Sequence, residues 1–415
     1  MESITIHSGL SSTVDKKKIV LIHHSGLLGG AGISLYYTWL ELEKKYNVSC
    51  YVPDDPPDLK NYLENKGLQP KCFSYRLGKI TYYSGGNGLT NPKLWYHMFR
   101  VLLHKKRWQA ILDDECPDLV IVNAIVLCWF AIFSKNYKLM CFVRETVRGD
   151  RRSWANKFMA KLLEKFYLVS FLSNYDRNAW NLTDPHSIVT HDFMELSDFE
   201  PKLEKGIACA ELSIEAEPFN VLFLGGMNKL KGTKVAVESM AALCNENIQL
   251  IIAGNNPEKF AFGTFKNLWN SLVHFSSKLY FSSVLQRISS SSLRKKIHYI
   301  GVQSNVRLAF DACDILIIPM VEPHQARPVF EFGVQKKPII ISDFDNVGEF
   351  VIDNVNGLTF KPNDHVALSQ CIKKLYQNRA LYTSLGYSNY QNAVTNHERI
   401  KVMSSLIQKI SDTIY

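Results

Sequence analysis

The chain has 415 residues, 46% of them hydrophobic and 21% charged, with a net charge of +9. This balance is that of an ordinary globular chain long enough for two cores, and it excludes a wholly disordered or fibrous protein. Nine scattered cysteines without a CxxC pair point away from a disulfide scaffold or zinc ribbon and toward reduced thiols in the cytoplasm.

No basic leader followed by an apolar core opens the chain, so no signal peptide is expected. The longest apolar run, Leu119 to Phe133, is interrupted by Asn123 and is too short for a spanning helix. The positive charge suits an anionic partner, either nucleotide phosphates or a lipid surface.

In chain order, a polar tail covers residues 1–18. Ile19 to Ile22 then reads as a strand, and His23, His24 and the glycines Gly26, Gly29, Gly30 and Gly32 follow as a turn. Ser34 to Lys45 reads as a helix and Val48 to Val52 as a second strand. A strand, glycine-rich turn, helix and strand in this order have the form of a mononucleotide-binding half. A dinucleotide oxidoreductase is one reading of it, with Asp54 or Asp55 at the ribose, although the glycine spacing departs from GxGxxG.

Two further strands, Leu119 to Val122 and Met140 to Val143, end in the polar residues Asn123 and Arg144-Glu145. Leu168 to Leu172 and Ile188 to Phe193 complete a first domain over residues 19–193. Residues 194–217, rich in Glu, Lys and Ala, read as a linker. A second domain, residues 218–386, opens with the strand Asn220 to Leu224 and the loop Gly225-Gly226-Met227-Asn228-Lys229-Leu230-Lys231-Gly232. A Lys-rich glycine loop before a helix supplies the positive charge and N–H donors that a diphosphate requires. Three segments, Lys93 to Trp108, Arg151 to Phe166 and Phe260 to Lys296, pair Lys and Arg with aromatic residues, with Glu164 their sole acid. Such segments either lie in a membrane interface or form a core face with a solvated back.

The central stretch is Asp314 to Asp345. The apolar run Ile315 to Pro319 reads as a buried parallel strand. A polar loop with Glu322, His324, Gln325 and Arg327 follows, and Pro328 begins a helix through Val329 that carries Glu331. Pro338 to Ser342 reads as the next strand. Polar residues therefore gather at the carboxyl end of a strand, where open α/β sheets bind ligands. His365 to Gln377 and Tyr387 to Ile410 read as helices. Alternating strands and helices argue an α/β fold, doubly wound twice over.

The stretch from Glu322 to Glu331 resembles the donor-binding signature of retaining GT-B glycosyltransferases of the family-4-like group (glycosyl transferases group 1). Eight residues separate the two glutamates here, against seven in the usual form. Lys231-Gly232 resembles that family's phosphate-binding pair, while its arginine position holds Gly226. The resemblance implies two Rossmann-like domains facing across a cleft, with residues 387–415 crossing back to the first domain. It further implies transfer of a sugar from a nucleotide-diphosphate sugar to an acceptor hydroxyl in polysaccharide or glycolipid biosynthesis, without a metal or bound cofactor.

On this reading Glu331 holds the ribose, with Gly29, Gly30, Gly225, Gly226, Lys229, Pro328 and Val329 around the donor. Glu322 lies near the donor sugar, and Lys231 and Arg327 stabilise the leaving phosphates. In the family a histidine approaches the reacting sugar from the acceptor side. The candidates here are His23, His24, Asn123, Arg144 and Glu145. The implied partners are a nucleotide sugar, a glycan or lipid-linked acceptor and an anionic membrane surface beneath a cytoplasmic, peripheral enzyme, with no nucleic acid. A GT-B sugar-nucleotide epimerase and a nucleotide-sugar binder without transferase activity are the alternatives.

Overall fold

A computed structural model describes residues 16–74, 96, 99–100, 103–133, 136–146, 154–182, 186–255, 275–290, 292–303 and 305–415. The parts of the three basic segments outside these ranges, including residues 260–274, lie outside the described residues. The chain divides into two compact units. One comprises Met1–Phe142, Lys161–Val169 and Ile407–Tyr415, and the other Val143–Ala160 and Ser170–Leu406.

The described residues form two sheets. The strands of the first are β1 (Lys18–His23), β2 (Asn47–Pro53), β3 (Lys71–Phe73), β4 (Leu119–Asn123), β5 (Lys138–Val143), β6 (Leu168–Phe171) and β7 (Ser187–Val189), in the order β3-β2-β1-β4-β5-β6-β7. Those of the second are β8 (Phe219–Phe223), β9 (Ile248–Ala253), β10 (Ile297–Gly301), β11 (Ile315–Ile318), β12 (Ile339–Ser342) and β13 (Leu358–Phe360), in the order β10-β9-β8-β11-β12-β13. Both open outward from their first strand, as the doubly wound Rossmann order does, and so each has a topological switch point beside that strand. The helices are α1 (Gly30–Glu43), α2 (Asp58–Asn65), α3 (Lys105–Glu115), α4 (Phe130–Phe133), α5 (Trp154–Leu163), α6 (Asn174–Trp180), α7 (Lys205–Glu211), α8 (Thr233–Ala241), α9 (Phe275–Ile288), α10 (Arg307–Ala312), α11 (Pro328–Gly333), α12 (His365–Gln377), α13 (Arg379–Asn396) and α14 (Arg399–Ile414).

The second sheet shows why near-continuous apolar runs become its strands. Leu222, Ile251, Leu316, Ile339 and Ile341 face one core layer with Phe310, Val329 and Phe332, while Val221, Leu250, Ile315, Ile317 and Ile340 face another with Val235, Met240 and Ile372. Alternate residues point to opposite faces of a strand, so a parallel sheet covered on both sides needs apolar residues at every position. In α5, Met159, Leu162 and Leu163 are buried and Lys157 and Lys161 are exposed, so its apolar side packs inward.

Several elements differ from the sequence reading. The helix after β1 starts at Gly30, before Ser34, because Gly29 takes the extended cap conformation and its carbonyl accepts from Gly32 and Ile33 N–H. The edge strand β3 and the helix α2 have no counterpart in the reading. The C-terminal helical region begins at Arg379 and breaks between α13 and α14. There Met194 N–H donates to His397 O at 2.8 Å and Arg399 N–H to Met194 O at 3.0 Å. The segment 194–217, read as a linker, contains α7, whose Ala208 and Cys209 are buried in the second unit's core.

One polar network in the first unit carries a stability prediction. Glu115, 2% exposed, accepts hydrogen bonds from Tyr51 Oη at 2.6 Å, Ser49 Oγ at 2.9 Å and Lys71 Nζ, and pairs with Lys18 Nζ at 2.7 Å. Burial alone would raise its pKa, but hydrogen bonds from Lys18, Lys71, Tyr51 and Ser49 outweigh it and bring the carboxyl down to about 2. A carboxylate depressed on folding contributes stability above its unfolded value, lost as pH falls from about 4.5 toward 2. Since Lys71 is half exposed, screening trims the gain, and Glu115→Gln should cost roughly 2 kcal/mol at pH 7. Urea unfolding should show that difference shrinking at pH 3.

Candidate functional site

In the second unit the switch point lies between β8 and β11. After β8 the backbone turns through Gly226 at φ +53, with Gly254 packed so closely that a Cβ on Gly226 would lie 2.6 Å from Asn255 N. At this position, where the resemblance implies an arginine, the backbone leaves no room for a side chain. Gly232, at φ +83, caps α8, and a Cβ there would stand 1.7 Å from Pro319 O. The β8–α8 loop is therefore laid flat against the end of β11. Val321 N–H donates to Leu230 O at 3.1 Å, fixing the residue before Glu322 against the residue before Lys231.

Cationic groups sit on the same loop. Lys231 is an exposed residue, yet its ammonium folds back to within 3.5 Å of Leu224 O, and desolvation lowers its pKa. Lys229 Nζ lies 6.0 Å from the Tyr280 ring centroid, a cation–π distance. The Tyr280 hydroxyl accepts from Lys234 N–H at 2.9 Å, so α9 covers one donor of the α8 first turn.

On the other side of the switch point, Pro328 sets the first helical position of α11. Arg327 and Glu331, 8% and 9% exposed, pair through Nε and Oε1 at 2.6 Å. The i,i+4 spacing brings them onto one face of the helix. Val329 is fully buried and its N–H donates to Ala326 O at 2.9 Å, whereas Glu322 is half-buried in the loop. Behind α11 the His397 ring stacks on Phe330 with centroids 3.4 Å apart, and its Nδ1 bonds Asp192 O at 2.8 Å. Burial pushes the His397 pKa down to about 4, so the ring is neutral at pH 7.

The acceptor-side candidates fall into two groups. Arg144 and Glu145 belong to the second unit. Arg144 is deeply buried and 3.7 Å from Asp192 Oδ1. Burial lowers its pKa, Asp192 opposes that, and the nearby charge of Arg327 adds to it. The first unit holds the others at its own switch point, where His23 pairs in register with Asn123 across β1 and β4. Asn123 Nδ2 lies 3.1 Å from His23 Nδ1, and His24 Nδ1 lies 2.9 Å from Asn123 O. Gly29 and Gly30 are exposed at the start of α1 on the same edge.

Asp176 and Gln325 were not among the expected site residues. Asp176, 1% exposed in the first turn of α6, accepts from Gln325 Nε2 at 2.5 Å. Its own signal in sequence was only that of a helix cap, three residues after Ser173. No group of three or more His, Cys, Asp or Glu able to hold a metal occurs among the described residues. None of the described helices is long and apolar enough to cross a membrane.

Residues 209–392 match the family model of glycosyl transferases group 1. A 104-residue stretch is 27% identical to the N,N'-diacetylbacillosaminyl-diphospho-undecaprenol alpha-1,3-N-acetylgalactosaminyltransferase of Campylobacter jejuni. It covers 25% of this chain and 28% of the length of that curated relative. Among solved structures, Anabaena Alr3699/HepE in complex with UDP superposes with a TM-score of 0.74 at 16% identity, over 95% of this chain and 100% of that one. Sucrose-phosphate synthase from Thermosynechococcus elongatus does so with a TM-score of 0.72 at 15% identity, over 96% and 99%. At such identities these structures show a shared fold of two Rossmann-like domains.

Proposed function

We propose that the chain is a retaining glycosyltransferase, a reading supported by the match of residues 209–392 to the family model of glycosyl transferases group 1. It moves a sugar from a nucleotide-diphosphate sugar to an acceptor hydroxyl in polysaccharide or glycolipid biosynthesis. The observation that carries this reading is the pairing of Glu331 with Arg327 at the entry of α11, across the switch point from the Lys231 loop. A carboxylate anchored there has the chemistry to accept from ribose hydroxyls. The desolvated ammonium and flat glycine backbone of the neighbouring loop suit a departing diphosphate. Cationic side chains in that role remove the need for a divalent ion.

The closeness of Gly226 to Gly254 also supports a second reading, a nucleotide-sugar binder without transfer, since a cationic side chain is missing there. Incubation with labelled UDP-, GDP- and ADP-sugars and a polyprenyl-diphosphate glycan separates the two. A labelled glycolipid with the donor's anomeric configuration is expected. Binding without product would favour the second reading.

Reversible attachment to an anionic membrane belongs to the same proposal. Tyr96, Phe99 and Leu103 are helical, 58%, 59% and 62% exposed, and spaced to share one face. Residues 65–112 contain no Asp or Glu. Each surface Lys or Arg contributes about 1 kcal/mol at such a surface. Co-sedimentation with phosphatidylserine vesicles should occur at low salt and fall as salt rises; no binding at low salt would point to a soluble acceptor.

A further inference from the structure

We propose that Asp176, acting through Gln325, is a positioning residue for the loop that carries Glu322 and Arg327. The proposal rests on the donor-site reading above. It starts from a buried carboxylate that the donor chemistry does not use. Asp176 Oδ2 accepts from Ser173 Oγ at 2.7 Å and from Gln325 Nε2 at 2.5 Å, the latter 149 residues along the chain. One residue earlier, fully buried Asn346 donates through Nδ2 to His324 O at 3.2 Å. The β11–α11 loop is thus held at two successive residues, between its glutamates.

The α6 first turn is itself fixed from the same side. Glu349 accepts from Asn174 N–H at 2.8 Å and from Tyr175 N–H, complementing the positive end of the helix. Ser173 already caps this helix by accepting from Asp176 N–H at 3.0 Å. The cap therefore does not account for a buried carboxylate at Asp176.

Stability does not account for it either. Burial raises the Asp176 pKa to about 6, with Ser173, Gln325 and the nearby Thr146 offsetting part of the rise and the charge of Glu349 adding to it. A carboxyl whose folded pKa lies above its unfolded value weakens the fold as pH climbs from about 4 through 6. Perturbed titratable groups cluster at functional sites, and this one is bonded to the loop between the two glutamates. Here the gain is a charge-assisted bond to the Gln325 amide.

The test is a double-mutant cycle read by calorimetry with UDP, alongside hydrogen exchange of the ligand-free protein. Asp176→Ala and Gln325→Ala should each raise the Kd for UDP about tenfold, and the double variant should be no worse than either single one. Asp176→Asn keeps an acceptor oxygen. Without the charge it should bind UDP more weakly than wild type but more tightly than Asp176→Ala, and it should raise Tm at pH 8. Additive effects, unchanged affinity in both alanine variants, or Asp176→Asn as weak as Asp176→Ala would overturn the proposal.

If the wild-type protein binds no nucleoside diphosphate, the donor-site reading fails, and exchange alone decides the positioning role. Asp176→Ala and Gln325→Ala should then each speed exchange of the Gln325–Arg327 amides, with a smaller effect in Asp176→Asn. Unchanged exchange would overturn it.

Discussion

Lys231→Ala should lower turnover with a nucleotide sugar by about 100- to 1,000-fold, the scale on which loss of one preorganised charge-stabilising donor acts. The lysine meets developing diphosphate charge, so kcat should fall further than substrate affinity. Folding should be spared. Desolvation at Leu224 O disfavours the charged ammonium in the folded protein, so removing it relieves a cost instead of deleting a strong bond. Lys229 is the comparison. Its ammonium stands 6.0 Å from the Tyr280 ring centroid, and Lys229→Ala should have a smaller effect. Full activity in both variants would place the phosphate-binding charge elsewhere, with Arg327 the next residue to test.

Glu331→Ala should destabilise the protein by about 3–5 kcal/mol, because it leaves the buried Arg327 guanidinium without its carboxylate. The pair is 2.6 Å apart and both side chains are almost enclosed. Loss of nucleotide binding in this variant would therefore mix two effects. Glu331→Gln separates them, since the amide oxygen still accepts from Arg327. It should keep most of the stability while weakening nucleotide diphosphate binding by about 1.5–3 kcal/mol, the worth of a hydrogen bond to a charged group. Denaturant unfolding and calorimetry on the two variants check both halves. A folded Glu331→Gln protein with wild-type affinity would remove Glu331 from the ribose site.

The strands beneath the site were legible because a doubly covered parallel sheet leaves a plain trace. Ile315 to Ile318 and Ile339 to Ser342 are apolar runs bounded by polar loops, and both are strands. Pro328 marked the start of α11, since its missing N–H costs nothing in a first turn. The partnership of Arg327 with Glu331 was also readable, from i,i+4 spacing on that helix, but the residues were assigned separate tasks.

Other features lay beyond the sequence for physical reasons. β3 has three residues, too few to show a period. α1 begins at glycines, which propensity places in a turn, because the chain around Gly29 supplies the cap geometry. The break after α13 is made by Met194, some 200 residues away, whose backbone bonds both His397 and Arg399. The Asp176–Gln325 bond likewise joins segments whose closeness only the fold creates. Conversely, Gly226 stands where the resemblance implies an arginine, and the Gly254 backbone against it leaves no room for a side chain.

The most direct measurement is thermal unfolding of the wild-type protein with a panel of nucleoside diphosphates and nucleotide sugars, repeated on Glu331→Gln. A ligand that binds only the native state stabilises it by about 2.7 kcal/mol at a hundred times its Kd. One nucleotide family should raise Tm in a concentration-dependent way, its sugar conjugate at least as well as the bare diphosphate, and Glu331→Gln should blunt the shift. No shift with any nucleotide, or an equal shift in both proteins, would contradict a donor site between β8 and β11.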